Sequence, residues 1–215
     1  MDHTITAITV QKRNPQRVNI DLDGEFAFGL SRIVAAWLHV DRVLSDQDIA
    51  QLQAKETQEV AFQNALRFIS YRPRTTAEIE SKLIEKGYAE TVIQATIERL
   101  RANGLLDDGN FARTWVENQS TFRPRGQRAL AFELRRKGVT EDDIAQALEE
   151  TPAEEELAYQ AGTRQARKLA NLERNEFRMK LSAFLARRGF SYGMIAPVVA
   201  RIWEELHSSE GQDDI

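Results

Sequence analysis

Arginine and lysine side chains near three regularly spaced glycines are the residues of this sequence best suited to binding chemistry. A guanidinium donates two parallel hydrogen bonds to a carboxylate or a phosphate, and an ammonium group supplies a compact positive charge. The glycines lie at positions 87, 138 and 189, so the interval (138 − 87 and 189 − 138) is 51 residues both times. The candidate partner-binding residues are the cations in and around these positions: Arg72, Arg74, Lys86, Arg123, Arg125, Arg128, Arg135, Arg136, Lys137, Arg187 and Arg188.

Recurrence distinguishes these cations from ordinary surface charge. Taken singly, each one is explained equally well as a solvated helix end or loop residue. Stacked repeats, however, present equivalent loops along one side, so charges that recur in register line up. We therefore expect a stripe of cations that contacts an extended acidic partner. Because the middle repeat holds the densest set, we expect its centre to be Arg123, Arg125, Arg128, Arg135, Arg136 and Lys137.

The sequence lacks the short signatures of common enzyme sites: there is no phosphate-cradling glycine loop, no H-E-x-x-H and no G-x-S-x-G. The histidines, His3, His39 and His207, lie far apart in polar or terminal settings. Asp107-Asp108 is the one acidic pair worth considering, but adjacent residues at a helix start do not converge on one point, and capping explains them better. We expect no enzyme activity, no cofactor and no metal site.

Composition limits the remaining classes of protein. The chain has 42% hydrophobic and 29% charged residues, which is typical of a globular protein, and it has no cysteine. It shows no export signal and no apolar run of about 18 residues. We expect a cytoplasmic monomer that contacts no membrane. The net charge of −4 argues against global attraction to nucleic acid, so binding to free DNA is expected to be weak.

Helical periodicity explains how the chain positions its cations. Apolar residues recur four and eight positions before each of the three glycines, and six and ten positions after it. This spacing predicts a helix, a glycine stop in the left-handed conformation and a second helix. The cation before each glycine suits the negative end of the first helix. The aligned apolar positions are Ile79, Leu130 and Leu181; Leu83, Leu134 and Leu185; Ile93, Ile144 and Ile195; and Ile97, Leu148 and Val199.

The connecting loops repeat as well, since Arg72-Pro73-Arg74 recurs as Arg123-Pro124-Arg125. Each repeat then has an opening helix, this loop and the two helices around its glycine. We therefore predict a mainly α protein with three tandem three-helix repeats. The expected bounds are 56–106, 107–150 and 151–207 for the repeats and 208–215 for a frayed tail.

Aromatic side chains offer another route to nucleic acid, because they can stack on bases. Trp115, Phe122, Phe132 and Phe184 are the candidates in the repeats. Their helical spacing, however, favours positions in the hydrophobic core. We predict that these four side chains are buried.

Residues 1–55 are expected to form a smaller lobe. Two early segments alternate β-branched or aromatic residues with polar ones, and Asp23-Gly24 between two such runs is typical of a two-residue hairpin turn. Ser31 is expected to begin one helix, and Ser45 with Asp48 is expected to form the capping box of another. These elements give a small N-terminal βββαα lobe ahead of the repeats.

Several short motifs occur in a fixed order along the repeats. They are Ala65-Leu66; Arg72-x-Arg74-Thr75 with Glu78; Leu83-x-x-Lys86-Gly87; Gly104-Leu105-Leu106-Asp107-Asp108-x-x-Phe111-Ala112; Gly126; Glu133-Leu134-x-x-Lys137-Gly138-Val139; and Leu185-x-Arg187-Arg188-Gly189-Phe190. Together these motifs, over about residues 59–203, resemble the RecX family of regulators of the RecA recombinase. The N-terminal lobe is similar, with a looser match, to the extension of longer members.

This resemblance implies a fold, a partner and a role. The fold is a curved array of three three-helix repeats, and the partner is the RecA recombinase filament together with the DNA inside it. Members lodge in the groove of that filament, bridge neighbouring protomers and suppress ATP hydrolysis and strand exchange. The family's interaction surface involves basic repeat residues, which here are the candidate partner-binding residues given above.

Two other classes of function remain open. The three-helix units can act as helix-turn-helix modules that place a recognition helix in the major groove of DNA. No unit, however, shows a recognition helix dense in Arg, Lys, Asn and Gln. The other class is a helical scaffold whose basic residues bind nothing. Binding to RecA filaments, compared with free duplex, distinguishes the three hypotheses.

Overall fold

The structure, a computed structural model, describes residues 1–208. An N-terminal group of strands precedes a run of helices, so the described chain is mainly α with a small β lobe, as predicted. The strands are β1 (Asp2–Gln11), β2 (Asn14–Leu22), β3 (Glu25–Ser31) and β4 (Val43–Ser45). The helices are α1 (Asp46–Ile69), α2 (Thr76–Glu85), α3 (Glu90–Ala102), α4 (Asp108–Phe122), α5 (Gln127–Arg136), α6 (Glu141–Glu149), α7 (Glu154–Ala166), α8 (Arg174–Arg187) and α9 (Tyr192–Ser208). Of the predicted frayed tail, Ser208 ends α9 and 209–215 lie outside the described residues.

The strands form one antiparallel sheet with the order β3-β2-β1-β4. The predicted hairpin joins β2 to β3, and its two turn residues, Asp23 and Gly24, have φ of 53° and 94°. A type I′ turn requires positive φ at both positions, which is why this dipeptide is a reliable hairpin signal. Ile5, Ile20 and Leu30 are buried on the face of the sheet that forms the core of the lobe.

The predicted helix after Ser31 is wrong. The segment between β3 and β4 forms successive turns, and the chain then adds a fourth strand to the sheet. The N–H and the hydroxyl of Ser31 both donate to Glu56 Oε2, at 2.6 and 2.8 Å. Farther along, Asp41 N donates to Ile5 O and Arg42 O accepts from Ile5 N, both at 2.9 Å. Pairing with β1 therefore overrides the helical periodicity of this segment.

The second predicted cap of the lobe is confirmed. Ser45 and Asp48 form the reciprocal capping box of α1, with Asp48 N donating to Ser45 Oγ and Ser45 N donating to Asp48 Oδ2. The helix then continues through position 55 to Ile69 without a break. The lobe and the first repeat therefore share one long helix.

An ionic cluster at the start of the lobe makes its stability depend on pH. His3 Nδ1 lies 2.7 Å from Asp23 Oδ2, and His3 Nε2 lies 3.5 Å from Asp46 Oδ1. The hydrogen bond with Asp23 raises the pKa of His3, and the charges of Asp23 and Asp46 add to this rise. Only a protonated imidazole donates from both ring nitrogens, so the folded state favours the charged form.

We expect the His3→Gln variant to lose stability relative to the parent mainly at acidic pH. A raised pKa contributes stability that is complete below the unfolded value of about 6.5 and disappears as the pH rises through the folded value. The difference in thermal midpoint between parent and variant should therefore be larger near pH 5.5 than near pH 8.5. These pH values lie about one unit below and about two units above the unfolded pKa of histidine. His39→Gln is the control, because His39 has no carboxylate among its hydrogen-bond partners in residues 1–208. Equal differences for His3→Gln at both pH values would contradict the prediction.

The described chain divides into two compact units. Unit 1 comprises Met1–Pro73 and Ile79–Leu106, and unit 2 comprises Arg74–Glu78 and the chain from Asp107 onward. Unit 1 holds the sheet core and the core of the first repeat, whereas unit 2 holds the cores of the second and third repeats. Of the aligned apolar positions, Leu148 is half-buried and all others are buried, so the predicted helical faces are confirmed.

The three glycines of the repeat behave as predicted. Gly87, Gly138 and Gly189 follow the ends of α2, α5 and α8 with φ of 80°, 77° and 84°. After each one, a backbone N–H donates to a carbonyl five residues earlier, as from Val139 N to Leu134 O at 3.1 Å. This arrangement is a Schellman motif, which satisfies the last carbonyls of a helix.

Two of the four aromatic predictions are wrong. Trp115 and Phe184 are half-buried and pack against the repeat cores. In contrast, Phe122 is 71% exposed and Phe132 is 58% exposed. The helical spacing of these two residues in the sequence did not show that their side chains are exposed.

Candidate partner-binding site

Four of the eleven candidate cations are already paired with carboxylates inside unit 2. Arg125 pairs with Glu133, and Arg135 donates to both oxygens of Glu141, at 2.5 and 2.8 Å. Lys137 and Arg74 both lie near Glu78, at 3.2 and 4.0 Å. These four cations therefore already have a carboxylate partner in the free protein.

Lys137 is fixed more completely than the other cations. Its Nζ lies 5.7 Å from the centre of the Phe111 ring and 5.2 Å from that of Trp115. Its backbone carbonyl accepts a hydrogen bond of 2.6 Å from Thr75 Oγ1. One repeat later, the backbone carbonyl of Arg188 accepts a hydrogen bond of 3.0 Å from Gly126 N. Both donors and acceptors follow the 51-residue interval, so we call these two contacts the junction hydrogen bonds.

Seven of the candidate cations are exposed. Two belong to unit 1 and five to unit 2. They are Arg72, Lys86, Arg123, Arg128, Arg135, Arg136 and Arg187. Arg135 is exposed although it pairs with Glu141, so exposure and pairing with a carboxylate are separate properties that the sequence did not show.

Three exposed residues form a row along α5. Arg128, Phe132 and Arg136 follow one another at intervals of four, which places them along one side of the helix. The two arginines have no carboxylate partner among residues 1–208. We call this row the α5 ridge. Arginine and exposed aromatic side chains are the residue types that dominate the energetics of protein interfaces.

A second group of cations surrounds the loop between α4 and α5. Arg188 Nη1 donates to Pro124 O, and Arg164 Nη1 donates to Phe122 O, both at 3.3 Å. Arg123 projects from the same loop. Burial lowers the pKa of Arg188, and the charges of Arg125, Arg123 and Arg164 lower it further. Like charges near one another disfavour the charged form, so these arginines oppose one another around this loop.

Arg164 was missed at the level of sequence. It lies one 51-residue interval after Arg113, so a cation does recur at this position. The signal was available but weak, because the first repeat has Phe62 at the matching place.

The other residues considered for chemistry have structural roles. Asp107 Oδ1 accepts from Asn110 N and Asp108 Oδ1 accepts from Thr76 N, both at 2.8 Å. Asp107 thus caps α4, as predicted, whereas the carboxylate of Asp108, in the first turn of α4, accepts from the first residue of α2, a contact that was not predicted. No group of three or more His, Asp or Glu in residues 1–208 is placed to hold a metal ion. Among the helices described, none is long and apolar enough to cross a membrane.

Comparison with protein-family models assigns four consecutive segments. Residues 3–45 match the regulatory protein RecX N-terminal domain. Residues 61–100, 107–148 and 153–199 match the first, second and third three-helix domains of RecX. The matched segments correspond to the sheet and to the three helical repeats.

Individual proteins give the same result. The regulatory protein RecX of Bacillus subtilis is 33% identical over 202 residues, covering 92% of this chain and 76% of the relative. That of Clostridium perfringens (strain SM101) is 30% identical over 205 residues, covering 92% and 95%.

Solved structures agree with these assignments. A crystal structure of regulatory protein RecX has a TM-score of 0.73 at 28% identity, covering 94% of this chain and 99% of that one. RecX from Lactobacillus salivarius has a TM-score of 0.61 at 27% identity, covering 69% and 97%. Four domain matches, relatives at this identity over most of both chains and a shared fold place this chain in the RecX family of regulatory proteins.

Proposed function

We propose that this protein is an inhibitor of the RecA recombinase that binds in the groove of the RecA–DNA filament and suppresses ATP hydrolysis and strand exchange. Membership of the RecX family supports a regulatory role. The α5 ridge is the observation that carries the proposal. It presents two arginines and a phenylalanine, all exposed, on the middle repeat.

Arg128 and Arg136 are the strongest of the proposed contact residues, because both side chains are exposed and neither has a carboxylate partner among residues 1–208. An exposed arginine that forms a partly desolvated pair with a carboxylate or phosphate gains roughly 1–3 kcal/mol, whereas a pair that stays in water gains less than about 1 kcal/mol. Arg135 would first have to leave Glu141, so it contributes less than Arg128 or Arg136. The eleven candidate cations remain the proposed surface, with the α5 ridge as its strongest part.

The proposed role requires no chemistry by the protein itself. A monomer that occupies the filament groove alters RecA turnover only by binding, and it would do so in the cytoplasm during recombinational DNA repair. We expect the purified protein to hydrolyse no ATP. Hydrolysis that scales with its concentration and survives repurification would contradict this expectation.

The helix-turn-helix alternative receives less support from the structure. Such modules place the N-terminal residues of a recognition helix against base edges in the major groove. Helix α6, the last of the second repeat, begins with Glu141, Asp142 and Asp143. Three acids at this end suit the helix dipole but repel DNA phosphates.

A binding comparison tests the proposal directly. Labelled protein is titrated with RecA filaments on single-stranded DNA, with RecA alone and with free duplex. We expect tight binding to filaments only, together with dose-dependent inhibition of RecA ATPase. Equal binding to free duplex would favour the helix-turn-helix hypothesis, and binding to none of the three would favour a scaffold.

A further inference from the structure

A cleft in unit 1 lies between α1 and the adjoining ends of β2 and β3. Its volume is about 650 Å³, within the range of about 300 to 1,000 Å³ that is typical of ligand clefts. Glu56 of α1 ties these elements together, since its Oε2 accepts from Ser31 and its Oε1 lies 2.6 Å from Arg17 Nη1. Contacts inside the protein therefore hold both walls of the cleft in place.

Two arginines that line this cleft have no carboxylate partner. Arg17 is already paired, as described above, and Glu59 pairs with Arg99 at 2.7 Å, so these charges are balanced within the protein. Arg32 and Arg67 line the same cleft, and both are exposed. Neither pairs with Asp or Glu in the part of the chain that the structure describes. The cleft therefore carries two uncompensated positive charges, which suits a ligand with two anionic groups.

The two unpaired arginines are attached at different levels of the cleft. Arg32 follows Ser31, whose N–H donates to Glu56 at 2.6 Å. Arg67 lies eleven residues (67 − 56) farther along α1, which is roughly 16 Å at 1.5 Å per residue. This separation favours an elongated ligand over a single small anion.

Side-chain amides of the lining favour a peptide over a nucleic acid. Gln16 is exposed, and Gln63 donates from Nε2 to Glu59 Oε1 at 2.8 Å, which leaves the carbonyl oxygen of Gln63 as an acceptor. A side-chain amide offers donors and an acceptor, so it can bond the C=O and the N–H of a bound peptide. Ile33 and Val60 add an apolar contact surface. Among residues 1–208, no aromatic side chain lines the cleft, so a base would find no ring to stack on.

We propose that this cleft binds an acidic, extended segment of a partner protein, with carboxylates of that segment on Arg32 and Arg67. A guanidinium group donates two parallel hydrogen bonds to a carboxylate, which fixes the orientation of the carboxylate. An apolar side chain of the segment contacts Ile33 and Val60, and the lining amides bond its backbone. The site goes beyond the proposed function, since it includes none of the eleven candidate cations and requires no RecA filament.

Fluorescence anisotropy with a labelled octapeptide of alternating glutamate and valine tests the charges. We expect saturable binding to the parent and at least about tenfold weaker binding to Arg32→Ala/Arg67→Ala, because two charge-assisted contacts are lost. Arg174→Ala/Arg178→Ala removes the same charge from exposed positions of α8 and should change binding less than about twofold, since distant charges are screened by salt. No binding by the parent, or equal loss in both variants, would overturn the proposal.

Further comparisons test the position of the site and the class of ligand. Gln63→Trp places a large side chain at an exposed position of the lining without altering charge, and it should weaken peptide binding as much as Arg32→Ala/Arg67→Ala does. On the parent, the same octapeptide with glutamine in place of glutamate should bind at least about tenfold more weakly. Unchanged binding by Gln63→Trp would overturn the proposal. If binding of an oligodeoxythymidylate fell in Arg32→Ala/Arg67→Ala as much as binding of the peptide, the assignment to a peptide would be wrong.

Discussion

Replacing Arg128 and Arg136 by alanine is expected to weaken inhibition of RecA ATPase by about tenfold or more. The two side chains are about 12 Å apart along α5, eight residues at 1.5 Å each, so they contact separate groups of a partner. If each pair is worth roughly 1–3 kcal/mol, loss of both exceeds the 1.4 kcal/mol that corresponds to a tenfold change. Both positions are exposed, so folding stability should change by only about half a kcal/mol each.

The matched control for this variant is Lys12→Ala/Arg13→Ala. It removes the same charge from exposed positions of the N-terminal lobe. The measurement is the concentration of protein that halves RecA ATPase, determined at several salt concentrations. The α5 variant should also show a shallower salt dependence than the parent. If both variants inhibit as well as the parent, or both lose inhibition equally, the α5 ridge is not the contact surface.

The second large effect is expected at Gly138. A Cβ there would lie 2.3 Å from Ala77 Cβ, and the backbone has φ of 77°. Gly138→Ala therefore combines the left-handed cost of about 1–2 kcal/mol with an overpacking cost of about 1–3 kcal/mol. The free energy of unfolding, measured by urea denaturation with far-UV circular dichroism, should fall by their sum.

Gly87 provides the natural comparison for Gly138. Its φ is 80°, but a Cβ added there meets nothing within 4 Å. Gly87→Ala should therefore cost only the left-handed part, about 1–2 kcal/mol. Adding Ala77→Gly to the Gly138→Ala variant should recover part of the lost stability. Equal losses at Gly87 and Gly138, with no recovery in the double variant, would show that the contact with Ala77 does not matter.

The sequence predicted the features that depend on local physics. Helical periodicity identified the buried faces, because apolar residues three or four positions apart lie on the same side of a helix and are buried together. The glycine stops were predictable for a similar reason, since few other residues adopt a positive φ. The Asp23-Gly24 hairpin and the Ser45 cap follow from equally local rules.

Features that depend on distant partners were not predictable. The segment after Ser31 has a helical pattern, but Glu56 and β1 hold it in turns. The pairing of Arg135 with Glu141 and of Lys137 with Glu78 likewise depends on how elements pack. The arginine group near Pro124 unites Arg123, Arg164 and Arg188, which the folded chain brings together from distant positions. Sequence spacing identified the residue types of the candidate site but not their availability.

The junction hydrogen bonds have a consequence for how such a chain can grow. Their donors occupy positions 75 and 126, and the next position in this series is Phe177. Phe177 lies inside α8 and is fully buried in the core of its own repeat. A duplicated copy of the second repeat, inserted after the original, would carry both a donor and an acceptor and could join the series. A copy placed after the third repeat would meet Phe177, which has no side-chain donor and whose backbone N–H already donates to Glu173 O at 2.9 Å, so the series of junction hydrogen bonds could not continue there.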